Sequence, residues 1–114
     1  MQRLPALYFG PSLLGGRGVF TRSFILKGAV FEICPVIVLP AEDLPVIHNT
    51  RLHDYYFMWG WDDDQCAIAL GYGSLYNHAY TPNAQYLIDT DNETIEFIAL
   101  RDIQKGEEIT VSYN

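Results

Sequence analysis

Long hydrophobic runs are missing from this 114-residue chain. The apolar stretches at residues 36–39 and 95–100, the second broken by Glu96, fall far short of the ~20 residues a membrane helix needs, so no span is expected. The first residues carry Arg3 but no apolar core of signal-peptide length, which leaves secretion without support and an intracellular protein as the expectation. Basic charge is scarce as well. Seven Lys and Arg face fourteen Asp and Glu, for a net charge of −7, and such a chain repels phosphate, so direct nucleic-acid binding is not expected. Only two cysteines are present, Cys34 and Cys66, with no Cys-x-x-Cys pair and no His or acid beside His78 at ligand spacing. No metal site is expected, and two buried reduced thiols are the plain reading, with a single disulfide between them as the alternative. Repeats, linkers and long amphipathic helices are also absent, which excludes coiled-coil and multidomain organisation.

What is present is a core former. Hydrophobic residues make up 49% and charged residues 18%, so residues 1–114 are expected to form one compact domain that buries about two-thirds of its unfolded surface. The charge is unevenly placed: residues 1–30 carry four basic residues and no acid, whereas residues 31–114 carry all fourteen acids and only Arg51, Arg101 and Lys105. An acidic half of that kind attracts cations and steers a Lys/Arg-rich peptide, or simply keeps the protein soluble.

Short strands dominate the pattern. Val19-Phe20 leaves a glycine-rich loop, and residues 29–39 read as one or two strands bent at Pro35. Residues 41–57 allow short helical pieces at most, the first limited by Pro45. Residues 57–61 and 66–70 flank Asp62-Asp63-Asp64 as a hairpin with an acidic tip, and residues 86–90 and 94–100 form a second hairpin around Asp91-Asn92. After a turn at Lys105-Gly106, residues 109–113 close the chain as a strand. The fold class is mostly β, in several small sheets.

Three separated motifs carry the chemistry. Gly15-Gly16-Arg17-Gly18-Val19-Phe20 suits either a tight turn or close approach of backbone to a ligand. Asn77-His78, followed by Pro82-Asn83, suits ligand contact or a satisfied buried polar pair. Gly106-Glu107-Glu108-Ile109 ends in Tyr113, which alone would pass for an ordinary strand aromatic.

Taken in order, and with Asp54-Tyr55-Tyr56-Phe57 between the first two, these motifs resemble the SET domain family of protein lysine methyltransferases, in particular its short stand-alone viral and bacterial members. The resemblance covers nearly the whole chain. It implies a β-clip fold whose C-terminal segment threads beneath a preceding loop in a knot-like way, and S-adenosylmethionine as cofactor. It further implies cofactor contacts from Gly16, Arg17, Gly18, Asn77, His78 and Tyr113, with Tyr113 and Tyr55 at the methyl-transfer point. Tyr72 and Tyr76 are expected to join Tyr55 in the wall of a lysine channel. The implied substrate is a basic lysine-containing peptide, such as a histone tail, which would place the protein in the nucleus or on chromatin.

The reaction explains such a residue set. Lysine must be neutral to accept a methyl group, and deprotonating a free lysine at pH 7 costs roughly 4.6 kcal/mol, taking about 3.4 pH units at 1.36 kcal/mol each. An apolar tyrosine-walled channel and a nearby positive sulfur both lower that cost. Two departures stand out: Ala79 replaces the serine usual in the family, and no post-motif segment follows Asn114 to complete the channel. A second subunit, as in a homodimer for which sixteen aromatics leave apolar surface, the substrate itself, or a longer native chain would then supply the wall; alternatively the chain is a catalytically weak or inactive SET-fold module that binds a basic peptide.

Overall fold

The structure, a computed structural model, describes residues 2–113; Asn114, after which the channel was expected to need completion, lies outside them. Two sheets share one core. The first has the order β1-β2-β9-β6, from β1 (Leu7–Pro11), β2 (Arg17–Thr21), β9 (Glu108–Val111) and β6 (Asn77–His78). The second has the order β4-β5-β3-β8-β7, from β4 (Tyr56–Trp59), β5 (Gln65–Ala69), β3 (Val30–Leu39), β8 (Thr94–Ala99) and β7 (Ala84–Asp89).

Alternation builds these strands. In β8 the residues Ile95, Phe97 and Ala99 are buried while their neighbours are half-exposed, and the β7–β8 turn is tied by Asn92, whose amide groups donate to both carboxylate oxygens of Asp89. In β3, Val30 to Pro35 pair with β8 and Val36 to Leu39 pair with β5. The change of partner comes at Pro35, where one ladder hydrogen bond is lost in any case. The helical segment is as short as Pro45 implies: α1 (Leu44–His48) carries that proline in its first turn, between 3-10 turns at Ala41–Asp43 and Arg51–Asp54.

Two strands have no signal in the composition. β1 ends on Pro11, which an edge strand tolerates, and β6 is only two residues long. The second of them sets the site, because β9 inserts between β2 and β6, antiparallel to one and parallel to the other. Asn77 thereby pairs with Thr110 and His78 with Val111, across 33 positions of sequence in each case.

The second sheet curls until its edges meet. The Phe57 ring of β4 and the Tyr86 ring of β7 lie 5.1 Å apart in edge-to-face contact. Beneath, Tyr76 is 1% exposed and packs against Phe31 and Phe97, its ring centroid 4.5 Å from that of Phe97. Among the described residues one charged side chain is buried in this interior: Glu32, 3% exposed, accepts from the Tyr76 hydroxyl at 2.6 Å and the Tyr72 backbone N–H at 3.0 Å, with Arg3 3.8 Å away. These partners compensate the burial of its charge. Cys34 and Cys66 are both buried and unpaired, and burial raises both thiols above their ordinary range, with Glu32 adding to the effect at Cys34.

Candidate functional site

A cleft of about 780 Å³ opens between the first sheet and the curled edges of the second. It is lined by Gly15, Gly16 and Arg17 of the glycine loop, by Asn77 and Tyr113, by the aromatic rings of Tyr55, Tyr56, Phe57 and Tyr86, and by Asp54 and Asp63.

The glycine loop is open where a ligand would approach it. Gly15 and Gly16 have φ values of 117° and 59°, and no atom lies within 4 Å of where their side chains would project. Positive φ at consecutive positions lets the chain reverse between β1 and β2, which is the ordinary use of glycine here. Gly18 is different. Its Cβ would collide with the Glu108 carboxylate and come within 3.0 Å of Asn77 Nδ2, so its lack of a side chain serves packing between β2, β6 and β9.

Asn77 is held from two directions. Its Nδ2 donates to the Arg17 carbonyl at 3.1 Å and to Glu108 Oε2 at 2.8 Å, which spends both amide hydrogens on the protein. His78 is held too: its Nδ1 accepts from the Tyr113 backbone N–H at 3.0 Å, so the ring proton of the neutral form sits on Nε2. The Tyr113 ring lies 5.1 Å from the His78 ring, and its hydroxyl donates to the Tyr76 carbonyl at 2.6 Å. Partial burial raises the Tyr113 phenol above its ordinary value, and the neighbouring Asp54, Tyr55 and Tyr86 push in the same direction. The phenol therefore stays protonated at neutral pH, suited to orienting a partner and unsuited to acting as a phenolate base.

Of the residues singled out in the sequence, Gly16, Arg17, Asn77, Tyr113 and Tyr55 line this one cleft, with Gly18 and His78 packed directly against its members. Tyr72 does not join them. It lies in a separate groove beside Glu32 and Gly71, its ring covered by the Arg3 guanidinium at 4.1 Å. Tyr76 reaches the cleft through the carbonyl that Tyr113 engages, but its phenol is sunk in the core on Glu32 and offers no hydroxyl to a channel. The resemblance implied both for the wall; the turn at Gly71 and the aromatic core turn them elsewhere. Tyr86 and Tyr56 stand in the wall instead. Tyr86 shares the inward parity of Ala84 on β7, a signal that the strand alternation carried.

Asn83 closes the second motif. It is 3% exposed and grips β9: its Nδ2 donates to the Glu108 carbonyl and its Oδ1 accepts from the Thr110 N–H, both at 2.8 Å. Among the described residues no group of three or more His, Cys, Asp or Glu is placed to hold a metal ion.

The SET domain family model matches residues 16–114. The chain is 34% identical over 99 residues to the histone-lysine N-methyltransferase, H3 lysine-37 specific, of Schizosaccharomyces pombe, a match spanning 86% of this chain and 66% of that protein. It also superposes with a TM-score of 0.77 on the crystal structure of a candidate histone methyltransferase of Plasmodium falciparum, at 36% identity and covering 95% and 96% of the two chains. Three motifs converging on one cleft, a family match over nearly the whole length and a like fold lead to one conclusion: the chain belongs to the SET domain family.

Proposed function

We propose that this protein is an S-adenosylmethionine-dependent protein lysine N-methyltransferase acting on a basic, lysine-containing protein segment, with a histone as the target class. One observation carries the reading: Gly16 and Arg17, Asn77 and Tyr113, nearly a hundred positions apart at the extremes, line a single cleft.

The residues fit the donor. The cleft volume lies within the ~300–1,000 Å³ usual for small-molecule sites. The open glycine backbone admits close approach, and Asp54 and Asp63 favour a cationic ligand. Gly16, Arg17, Asn77 and His78 would hold it, and when bound it supplies a methyl group on a positively charged sulfur. The chain's own part is to bind, orient and exclude water. Tyr55, Tyr56, Phe57 and Tyr86 supply an apolar wall that disfavours the ammonium form of a lysine entering between them. Tyr113 and Tyr55 orient the amine: the Tyr113 hydroxyl, its hydrogen already committed to the Tyr76 carbonyl, keeps its lone pairs for an amine N–H. Asp63, on the acidic tip between β4 and β5, draws the basic segment to the opening.

The histone target is supported by the fission yeast relative, whose description names histone H3, and a chromatin location follows from that target. Incubating the protein with S-adenosylmethionine, core histones and a panel of basic peptides, then reading methylation by mass spectrometry, tests donor, target class and product at once. Methylated lysine is the expected result. Donor binding without transfer to any substrate would instead favour a peptide-binding module.

A further inference from the structure

Ser74 has no task in the reaction outlined above, yet the two tyrosines that flank the reacting amine both depend on the short stretch it opens, residues 74–76 between β5 and β6. Tyr113 reaches that stretch through its hydroxyl, which donates to the Tyr76 carbonyl at 2.6 Å. Tyr55 reaches it through its main chain. The Tyr55 carbonyl accepts from Ser74 Oγ at 2.9 Å, across 19 positions of sequence.

Main-chain anchors decide where the Tyr55 ring stands. The residue is 43% exposed and its ring makes no ring–ring contact among the described residues, whereas Phe57 packs against Tyr86 and Tyr56 against His48. A side chain in a staggered rotamer with little packing around it goes where its backbone carries it. That backbone is held on both sides of the ring: the Tyr55 N–H donates to the Leu52 carbonyl at 2.9 Å, and the Tyr55 carbonyl takes the Ser74 hydroxyl. The first bond belongs to the local 3-10 turn. The second ties Tyr55 to the segment that also holds Tyr113.

Ser74 is itself fixed. A Cβ at Gly73 would lie 2.6 Å from Ala69 Cβ and 2.9 Å from Cys34 Sγ, so the chain is pressed onto β3 and β5 immediately before Ser74. Its hydroxyl has one hydrogen, for which the Ala69 carbonyl at 3.2 Å competes, and the shorter bond to Tyr55 prevails. We infer that Ser74 is a positioning residue for methyl transfer: through the Tyr55 carbonyl, its hydroxyl sets Tyr55 opposite Tyr113 across the amine. The inference rests on the cleft being a lysine methyltransferase site.

The test compares wild type, Ser74→Ala and Ser74→Thr, by calorimetric affinity for S-adenosylhomocysteine and by kcat and KM on a basic peptide whose methylation is read by mass spectrometry. Ser74→Ala is expected to lower kcat/KM by about three- to tenfold, the scale of one neutral hydrogen bond, with affinity for S-adenosylhomocysteine within about twofold of wild type. Ser74→Thr keeps the hydroxyl and should recover to within about twofold of wild type. In a Tyr55→Phe background the same Ser74→Ala change should cost under about twofold, because the phenol it positions is already gone. A general loss of packing instead weakens both readouts and adds in full to Tyr55→Phe. Unchanged kcat/KM in Ser74→Ala, equal losses in both readouts, no recovery in Ser74→Thr, or full additivity with Tyr55→Phe overturns the role of Ser74 and leaves the methyltransferase reading intact. A wild-type protein that methylates no peptide overturns that reading, and this inference with it.

Discussion

Replacing Asn83 by Ala probes the joint that holds β9 in place. The side chain is buried and closes two hydrogen bonds of 2.8 Å to the backbone of β9, one from Asn83 Nδ2 to the Glu108 carbonyl and one from the Thr110 N–H to Asn83 Oδ1. Alanine leaves a donor and an acceptor without partners, and Thr110 is itself buried. Each orphaned group costs about 1–3 kcal/mol, so the loss is about 2–6 kcal/mol. That is a large share of the ~5–15 kcal/mol that stabilises a typical domain. The assay is urea unfolding, where the midpoint should fall and the slope should not change, together with a melting temperature lowered by roughly 4 °C per kcal/mol. Because β9 carries Glu108 and leads to Tyr113, cofactor affinity should fall in parallel. Asn83→Asp serves as a control with a sign. It keeps the acceptor for Thr110 but sets a carboxylate oxygen against the Glu108 carbonyl, which favours the protonated acid and raises its folded-state pKa. Its stability is then best at low pH and is lost as pH rises through that pKa. A loss below about 1 kcal/mol in Asn83→Ala would refute the clamp.

Three further outcomes are expected. Tyr113→Phe should leave S-adenosylhomocysteine affinity near wild type while turnover falls about tenfold or the number of methyls added changes, the loss of one oriented hydrogen bond in the transition state; full activity with an unchanged product by mass spectrometry would remove Tyr113 from the reaction. Because the phenol stays protonated, the rise of rate with pH should follow the substrate amine and persist in Tyr113→Phe. Stability should be lost in alkali: the Cys34 thiol and Tyr76 phenol are raised in the fold above their ordinary 9.0 and 10.0, so their contribution is whole below those values and declines as pH climbs past them. The slope is about 1.4 kcal/mol per pH unit for each group, and Cys34→Ala should make it shallower; equal slopes in denaturant titrations above pH 9 would contradict this. Binding of a basic peptide should weaken as salt rises from about 0.01 M to about 0.1 M, which shortens the Debye length from ~30 to ~10 Å, and Asp63→Asn should flatten that dependence. Salt-independent affinity would leave the acidic tip a solubilising feature.

The residues themselves announce much of this protein. Both hairpins could be placed because a strand, a polar turn and a second strand are neighbours in the chain, and their alternation is set by the pleat alone. The break in β3 showed at Pro35, and the brief helix at Pro45, since proline acts on its own backbone. The motif order was enough to name the family expectation. What it could not do was say which ring of Tyr72, Tyr76 and Tyr86 faces the cleft, because that depends on how far the second sheet curls and on where the core finds room.

The site itself is a product of insertion. Ser12, Gly18, Asn77, Asn83 and Glu108 share one hydrogen-bonded joint only because β9 runs between β2 and β6 in a particular register. A slip of one residue would turn Glu108 and Thr110 to the opposite face. Residue types and spacing were therefore sufficient for both hairpins, the turns and the family resemblance, but not for β1 or β6. Which side chains meet, and which amide end of Asn77 is offered, was settled by contacts between segments far apart in sequence, whose energy exists only once the sheets have formed.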